Sequence, residues 1–427
     1  MLWLKKITLT NVLEWGTYLL VFLLPMQTRW IYLAARLNGG DWEYGSNSLY
    51  GTEILLAVLV ALFLVWRRKN NIKFAERNLV LLIGVFVFWS LATALWAVDY
   101  NLALYRWWLL VGGIMFYFLV AYGPAVKAKI MASLIAAAAL QSVLALIQFF
   151  SQTVFGNKWL GLAPHWPADL GALVIAVGDE RWLRAYGSLP HPNILAAFLL
   201  VGLVFLAGLS LTARSSKIKW SMAGAWLLIL TGLFFTFSRA AAIVVIICYL
   251  IFVIWLAKEW VGYKRQYVFT AQLLAGGALV LIILAASFWP LLATRATGDG
   301  RLEVKSNQER LASYSESWQL IKIHPIVGSG LGNYTAAVYN RLDNRLPAWA
   351  YQPTHNLYLL VLAETGAVGL MMLFVICYLL FATKGTWTIK AALASLLFLG
   401  LFDHWLWSLY FGGMLWWLVA GLTIKKD

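Results

Sequence analysis

An all-α, polytopic integral membrane protein is the fold class this sequence predicts, and three observations predict it. Hydrophobic residues make up 62% of the 427 residues and charged ones 12%, with a mean hydropathy of +0.76, far from the usual soluble mix. Apolar runs long enough to cross about 30 Å of hydrocarbon recur from end to end. The basic residues, finally, fall in alternate connections between those runs, as they do in inner-membrane proteins.

About twelve transmembrane helices are expected, near residues 8–25, 49–66, 78–97, 105–123, 130–150, 193–212, 220–237, 240–257, 268–290, 360–382, 390–403 and 408–423. No small-residue cleavage site follows Leu24-Pro25-Met26, so the first run reads as a span rather than a cleaved signal peptide. With the N-terminus placed in the cytoplasm, the inner connections hold Lys5 and Lys6, the cluster Arg67 to Arg77, Lys127 and Lys129, Arg214 to Lys219, Lys258 to Arg265, Lys384, Lys390, Lys425 and Lys426. These are 19 of the 33 basic residues, against only Glu76, Glu259 and Asp427, so these connections carry an excess of +16 and the rest of the chain −1, which together make the net charge of +15. The basicity is topological: it places both termini in the cytoplasm and argues for no nucleic-acid partner. Cys248 and Cys377 fall mid-span without metal-ligand spacing and read as small apolar fillers. With no repeat or low-complexity tract, residues 1–427 form one membrane domain.

Two external segments are too long for simple connections. Residues 151–192 carry Trp159, Trp166 and Trp182 among Asp169, Asp179, Glu180, Arg181 and Arg184; residues 293–354 form a large loop before the tenth span. Within that loop Leu311, Tyr314, Trp318 and Ile321 recur at helical spacing, which predicts a helix over Asn307 to Ile323 lying along the membrane surface. Long ordered loops in compact folds are usually functional.

The candidate residues gather at these outer positions. His355 follows the large loop, and histidine is the side chain most easily poised to move a proton near neutral pH. Its plainer reading is a helix-start histidine bonded to the preceding loop. Arg184 lies near the end of the first external segment and Arg239 sits in the tight link Thr236-Phe237-Ser238-Arg239; either arginine also suits snorkelling to headgroups. His191-Pro192-Asn193 fits a helix cap as well as a site. Asn356 would orient the His355 ring or cap the helix, while Gly366 and Gly369 would admit another helix. Glu364, in an apolar stretch, needs a partner, in support of the site or of the structure. Asp403-His404, at another external helix end, reads as an interfacial pair before a catalytic one.

On four passages the chain resembles the O-antigen ligase and O-antigen polymerase family of bacterial envelope glycosyltransferases. They are Arg184-Ala185-Tyr186-Gly187 through His191-Pro192-Asn193; Thr236-Phe237-Ser238-Arg239; His324-Pro325 through Gly328-Ser329-Gly330-Leu331-Gly332; and His355-Asn356 with Gly366 eleven positions on. The resemblance implies a GT-C-like helical fold that uses an undecaprenyl-diphosphate-linked oligosaccharide donor at the outer face of the bacterial plasma (inner) membrane. It also implies that Arg184, Arg239 and His355 are essential. The chain stops soon after its last span, without the C-terminal extension of protein-glycosylating relatives, so the expected acceptor is a glycan or lipid A-core rather than a protein.

The residue types suit that chemistry. Arginines grip a departing diphosphate in a bidentate fork, and a neutral histidine takes the acceptor proton as the hydroxyl attacks the anomeric carbon. Ser238, His191, Asn193, Asn356 and Glu364 are the expected supporting residues. No dense external carboxylate cluster gathers ligands for a divalent ion, so the expectation is inverting transfer without metal or other cofactor. A small-anion transporter is the alternative from another class. Transporters place polar or broken helices at mid-membrane and carry repeats, and this sequence shows no repeat.

Overall fold

The computed structural model describes residues 8–260, 265–298 and 300–425. Lys5, Lys6, Lys264, Lys426 and Asp427 of the charge pattern lie outside the described residues. Helix α1 (Leu9–Leu23) starts at Thr8, whose hydroxyl accepts from the Asn11 amide. Strands β1 (Arg29–Leu33), β2 (Arg36–Leu37), β3 (Gly40–Asp41) and β4 (Asn47–Tyr50) make two nested antiparallel hairpins before α2 (Gly51–Lys69). Then come α3 (Arg77–Ala92), α4 (Tyr100–Tyr122) and α5 (Lys127–Ser151). A hairpin of β5 (Val174–Val177) and β6 (Glu180–Leu183) leads to α6 (Pro192–Ser210), α7 (Ser216–Phe234), α8 (Arg239–Trp260) and α9 (Arg265–Ser287). The large loop folds into α10 (Trp289–Thr297), α11 (Arg301–Ile323) and α12 (Tyr334–Arg341); α13 (Leu357–Ala382), α14 (Trp387–Leu399), α15 (Trp405–Ser408) and α16 (Tyr410–Ile424) complete the chain.

Every one of the twelve predicted spans coincides with a helix: α1 to α9, α13, α14 and α16. Six of these, α3, α4, α5, α6, α9 and α13, are long and apolar enough to cross a membrane by length and composition. The protein is an all-α membrane protein with three small hairpins added. The sequence gives no sign of those hairpins because they carry no strand-like alternation. All five β1 residues are exposed, and β5 and β6 pair over only four residues each.

Helix α6 is apolar all round and buried along nearly its whole length, as befits a central helix. It packs against α5, α7 and α14, while α16 runs beside α4. Two buried glutamines of α5 hold the segment before α6. Gln148 accepts from the amides of Tyr186 and Gly187, and Gln141 accepts from the Ser188 amide. Such pairing is obligatory for backbone groups removed from water.

The predicted loop helix is longer than its apolar spacing suggests, running from Arg301 to Ile323. Leu311 and Trp318 point outward and are exposed, whereas Ser313, Ser317 and Leu320 are buried. Helix α13 is broken at Gly366, which adopts φ 69°. The turn after α11 fills the break: the Ser329 and Gly330 amides donate to the Ala363 and Glu364 carbonyls, and the Ala367 amide donates to Pro325. A side chain at Gly366 would collide with the Ile326 carbonyl. The close approach at Gly366 therefore comes from a loop and not from another helix. Gly369 does face a helix, through Trp89 of α3.

An arginine-lined cleft and its histidine rim

The link between α7 and α8 is held in an unusual conformation. Phe237 has φ 46°, a region that costs a non-glycine residue about 1–3 kcal/mol unless its surroundings enforce it. Its ring packs among Phe149, Phe234 and Phe235, and its carbonyl accepts from Arg295 Nε at 3.3 Å. This turn places Ser238 and Arg239 in a cleft of about 270 Å³, lined also by Asn193, Arg295, Asn307, Arg310, Asp403 and Trp405.

Three arginines thus face one space. Arg239 and Arg295 are both paired with the buried carboxylate of Glu303: Arg239 Nη2 lies 3.2 Å from Oε2, and Arg295 Nη1 contacts Oε1. Burial lowers the Arg295 pKa, against the pull of Glu303. Arg310 differs, since its Nε is buried without a hydrogen-bond partner. Glu303, Asn307, Arg310 and Tyr314 follow one another at helical spacing, so a single face of α11 serves the cleft. The Tyr314 hydroxyl continues that face by donating to the His355 carbonyl at 3.3 Å.

Arg184 occupies a second layer. It is buried, its Nε donates to the Thr236 carbonyl at 2.8 Å and its Nη2 to Asn193 Oδ1 at 2.9 Å. Burial, and then the charge of Arg295, push its pKa well below the usual arginine range. Arg184 therefore backs Asn193 and the α7–α8 link without lining the cleft. His191 is the cap of α6, its Nδ1 accepting from the Asn193 amide at 3.0 Å. Burial takes its pKa down to about 3.

His355 lies just before α13 and Asn356 is the helix cap, its side chain accepting from the amides of Tyr358 and Leu359. Asn356 also donates to the Leu401 carbonyl at 3.1 Å, and the Leu357 amide donates to Gly400 at 2.7 Å. These two bonds clamp the start of α13 onto the end of α14. They bring His355 Nδ1 to 3.8 Å from Asp403 Oδ1 and the His355 and His404 rings to 5.4 Å between centroids. Burial alone would raise the Asp403 pKa, but His355, His404 and His191 outweigh it and hold the carboxyl below its ordinary range. Burial brings His404 down to about 4, against the opposing charge of Asp403.

The pair Asp403-His404, interfacial on its sequence context, is therefore beside His355, with Asp403 joining the histidine to the cleft. Glu364 goes elsewhere. It accepts from the Gly332 and Tyr334 amides and from Trp407 Nε1, tying the turn-rich run to α13. Among the described residues, His355, Asp403 and His404 form a group able to hold a metal ion, their ligand atoms all within 4.8 Å of one another.

Fold and site together define a helical membrane protein with a cationic cleft and a histidine–aspartate pair at its edge. The resemblance drawn from the motifs is borne out: residues 223–374 match the family model described as O-antigen ligase. The matched residues include Arg239, Arg295, Arg310 and His355, and leave Arg184 and Asp403 outside. No curated protein matches the chain.

Proposed function

We propose that this protein is a bacterial inner-membrane glycosyltransferase, working on the outer face. It would move a glycan from an undecaprenyl-diphosphate-linked donor to a hydroxyl of a glycan or lipid A-core acceptor. One observation carries the reading: a cleft lined by Arg239, Arg295 and Arg310 is bordered by Asp403, which neighbours His355. Its volume of about 270 Å³ is close to the lower end of small-molecule sites, roughly 300–1,000 Å³. That suits a diphosphate headgroup rather than a whole glycan.

The arginines grip the diphosphate and neutralise the charge that grows on it as the sugar–phosphate bond breaks. Stabilising such developing charge is the main source of rate enhancement in many enzymes. Part of that grip replaces the Glu303 pairing of Arg239 and Arg295. Asp403 favours the His355 tautomer that carries its proton on Nδ1, leaving Nε2 to take the acceptor proton. The acceptor oxygen then attacks the anomeric carbon from the face opposite the diphosphate. The bonding electrons leave with the diphosphate, and configuration inverts in one displacement. Fixed guanidinium charge takes the place a divalent ion holds in much phosphate chemistry, so transfer is metal-independent. Ser238 and Asn193 line the cleft as polar contacts, and Arg184 sets the orientation of Asn193.

The test is a reconstituted assay with undecaprenyl-diphosphate oligosaccharide in EDTA, with lipid A-core or further donor as acceptor. Release of undecaprenyl diphosphate with one shifted acceptor band identifies ligation; a ladder of products identifies polymerisation. Folded protein that releases nothing with any acceptor overturns the transferase reading in favour of small-anion transport. The break in α13 is the feature that transport would use, but its backbone groups are taken up by residues 325–330.

A further inference from the structure

We propose that His355, Asp403 and His404 form a site for a divalent transition-metal ion of the zinc class, and that the ion, once bound, silences His355. The binding rests on the geometry alone; the silencing rests on the base role proposed for His355.

The donor set is two imidazole nitrogens and a carboxylate oxygen, the mixture that zinc favours. His355 Nδ1 and His404 Nε2 lie 3.8 and 3.9 Å from the same oxygen, Asp403 Oδ1. Two ligands held at about 2.0–2.1 Å from zinc sit about 3.3 Å apart at the tetrahedral angle. Each histidine therefore needs to close on the carboxylate by only about half an ångström.

The Ser408 hydroxyl lies 2.6 Å from His404 Nδ1 and 3.3 Å from the His404 carbonyl. With the hydroxyl proton on that carbonyl, His404 Nδ1 donates to Ser408 and the Nε2 lone pair faces the Asp403 carboxylate, an arrangement a cation relieves. His355 Nδ1 is buried with no hydrogen-bond partner, a costly state for a polar atom. The supports are stiff, because the Leu357–Gly400 and Asn356–Leu401 bonds hold both segments together. Asp403 opens onto the cleft, which supplies a path and a free coordination position. Arg239, Arg295 and Arg310 line the same cleft and oppose the ion, so it binds less tightly than at a dedicated structural site.

The consequence for His355 is a change of tautomer. An ion on Nδ1 takes that nitrogen's lone pair, so the neutral ring must carry its proton on Nε2. The nitrogen that would accept the acceptor proton is then already protonated. The imidazole gains and loses no net proton, and the base is switched off without being charged.

The experiment is a zinc chloride titration of the full chain in detergent against a chromogenic chelator, with magnesium chloride as the parallel probe. The expected result is one zinc equivalent and no magnesium, with at least tenfold weaker zinc binding in both His404→Ala and His404→Gln. Zinc should raise the unfolding temperature of the parent protein and not of these variants. Unchanged affinity in either folded variant, or no stoichiometric zinc, overturns the site. In the transfer assay, zinc at the same concentration should stop turnover of the parent protein, reversibly with EDTA, and spare His404→Gln. Zinc bound at one equivalent with turnover unaffected overturns the silencing. Zinc bound by a protein that shows no transfer under any condition upholds the site and removes the glycosyltransferase reading instead.

Discussion

His355 Nδ1 stands 3.8 Å from Asp403 Oδ1, although the two lie far apart in the chain. The contact exists because the Leu357 amide bonds to Gly400 at 2.7 Å and folds the start of α13 against the end of α14. An aspartate in that position selects the tautomer and steadies the positive charge that the ring gains on accepting a proton. The carboxyl is held below its ordinary pKa range despite its burial, by the surrounding histidines. It is thus an anion throughout the neutral range. Asp403→Asn should lower kcat by about 10²–10⁴-fold, the span of general-base catalysis, with the donor KM nearly unchanged. A reconstituted transfer assay on folded variant protein checks it, and a kcat close to the parent value would remove Asp403 from the mechanism.

The cleft arginines should act on binding. Arg310 carries a buried Nε without a hydrogen-bond partner, so it is the arginine most available to a new anion. A hydrogen bond to a charged group contributes about 1.5–3 kcal/mol. Arg310→Gln should therefore weaken donor binding roughly 10–100-fold. Arg310→Lys should not restore it, because a point charge cannot reproduce the planar fork. Binding of a short-chain polyprenyl diphosphate measures this directly.

Glu303 is expected to behave as a stand-in for the diphosphate. Its buried carboxylate serves Arg239 and Arg295 at once, so Glu303→Gln leaves two neighbouring cations without their anion. Breaking a buried pair costs about 3–5 kcal/mol, at the lower end here because Arg239 is partly exposed. The unfolding temperature should fall, and inorganic pyrophosphate should recover more of it in Glu303→Gln than it adds to the parent protein. An equal response in both would separate Glu303 from the anion site.

Hydropathy and charge placement make the membrane architecture legible, since each of the twelve apolar runs forms a helix. The candidate site is readable only where one segment carries its own signal. Arg239 declares itself in a short polar link, and His355 at the end of a long loop. Arg184 stands out as an external cation, but nothing local tells that its guanidinium is spent on Thr236 and Asn193. Asp403 looks merely interfacial because its partner lies across a helix–helix contact that no sequence window contains. Arg310 does carry a readable signal. Glu303, Asn307, Arg310 and Tyr314 share a helical face, but the apolar spacing through Leu311 and Trp318, both exposed, draws attention to the adjoining stripe. Glu364 needs partners on sequence grounds alone, and they prove to be the Gly332 and Tyr334 amides and Trp407.

Acid stability turns on His191. Its Nδ1 must stay unprotonated to accept from the Asn193 amide at 3.0 Å, and burial lowers its pKa from 6.5 to about 3. The folded state therefore binds fewer protons than the unfolded chain between those two values. Stability then rises with pH across that window. It is complete above about pH 6.5 and declines as the pH falls toward about 3. Each pH unit costs at most about 1.4 kcal/mol from this one group. His191→Asn keeps an oxygen that can accept the same amide proton and cap α6, but it does not titrate. The unfolding temperature of the parent protein should drop between about pH 7 and about pH 4.5, and the drop should be shallower in His191→Asn. Parallel curves would mean that His191 is not held neutral by the fold, and the cap bond would then have to come from another group.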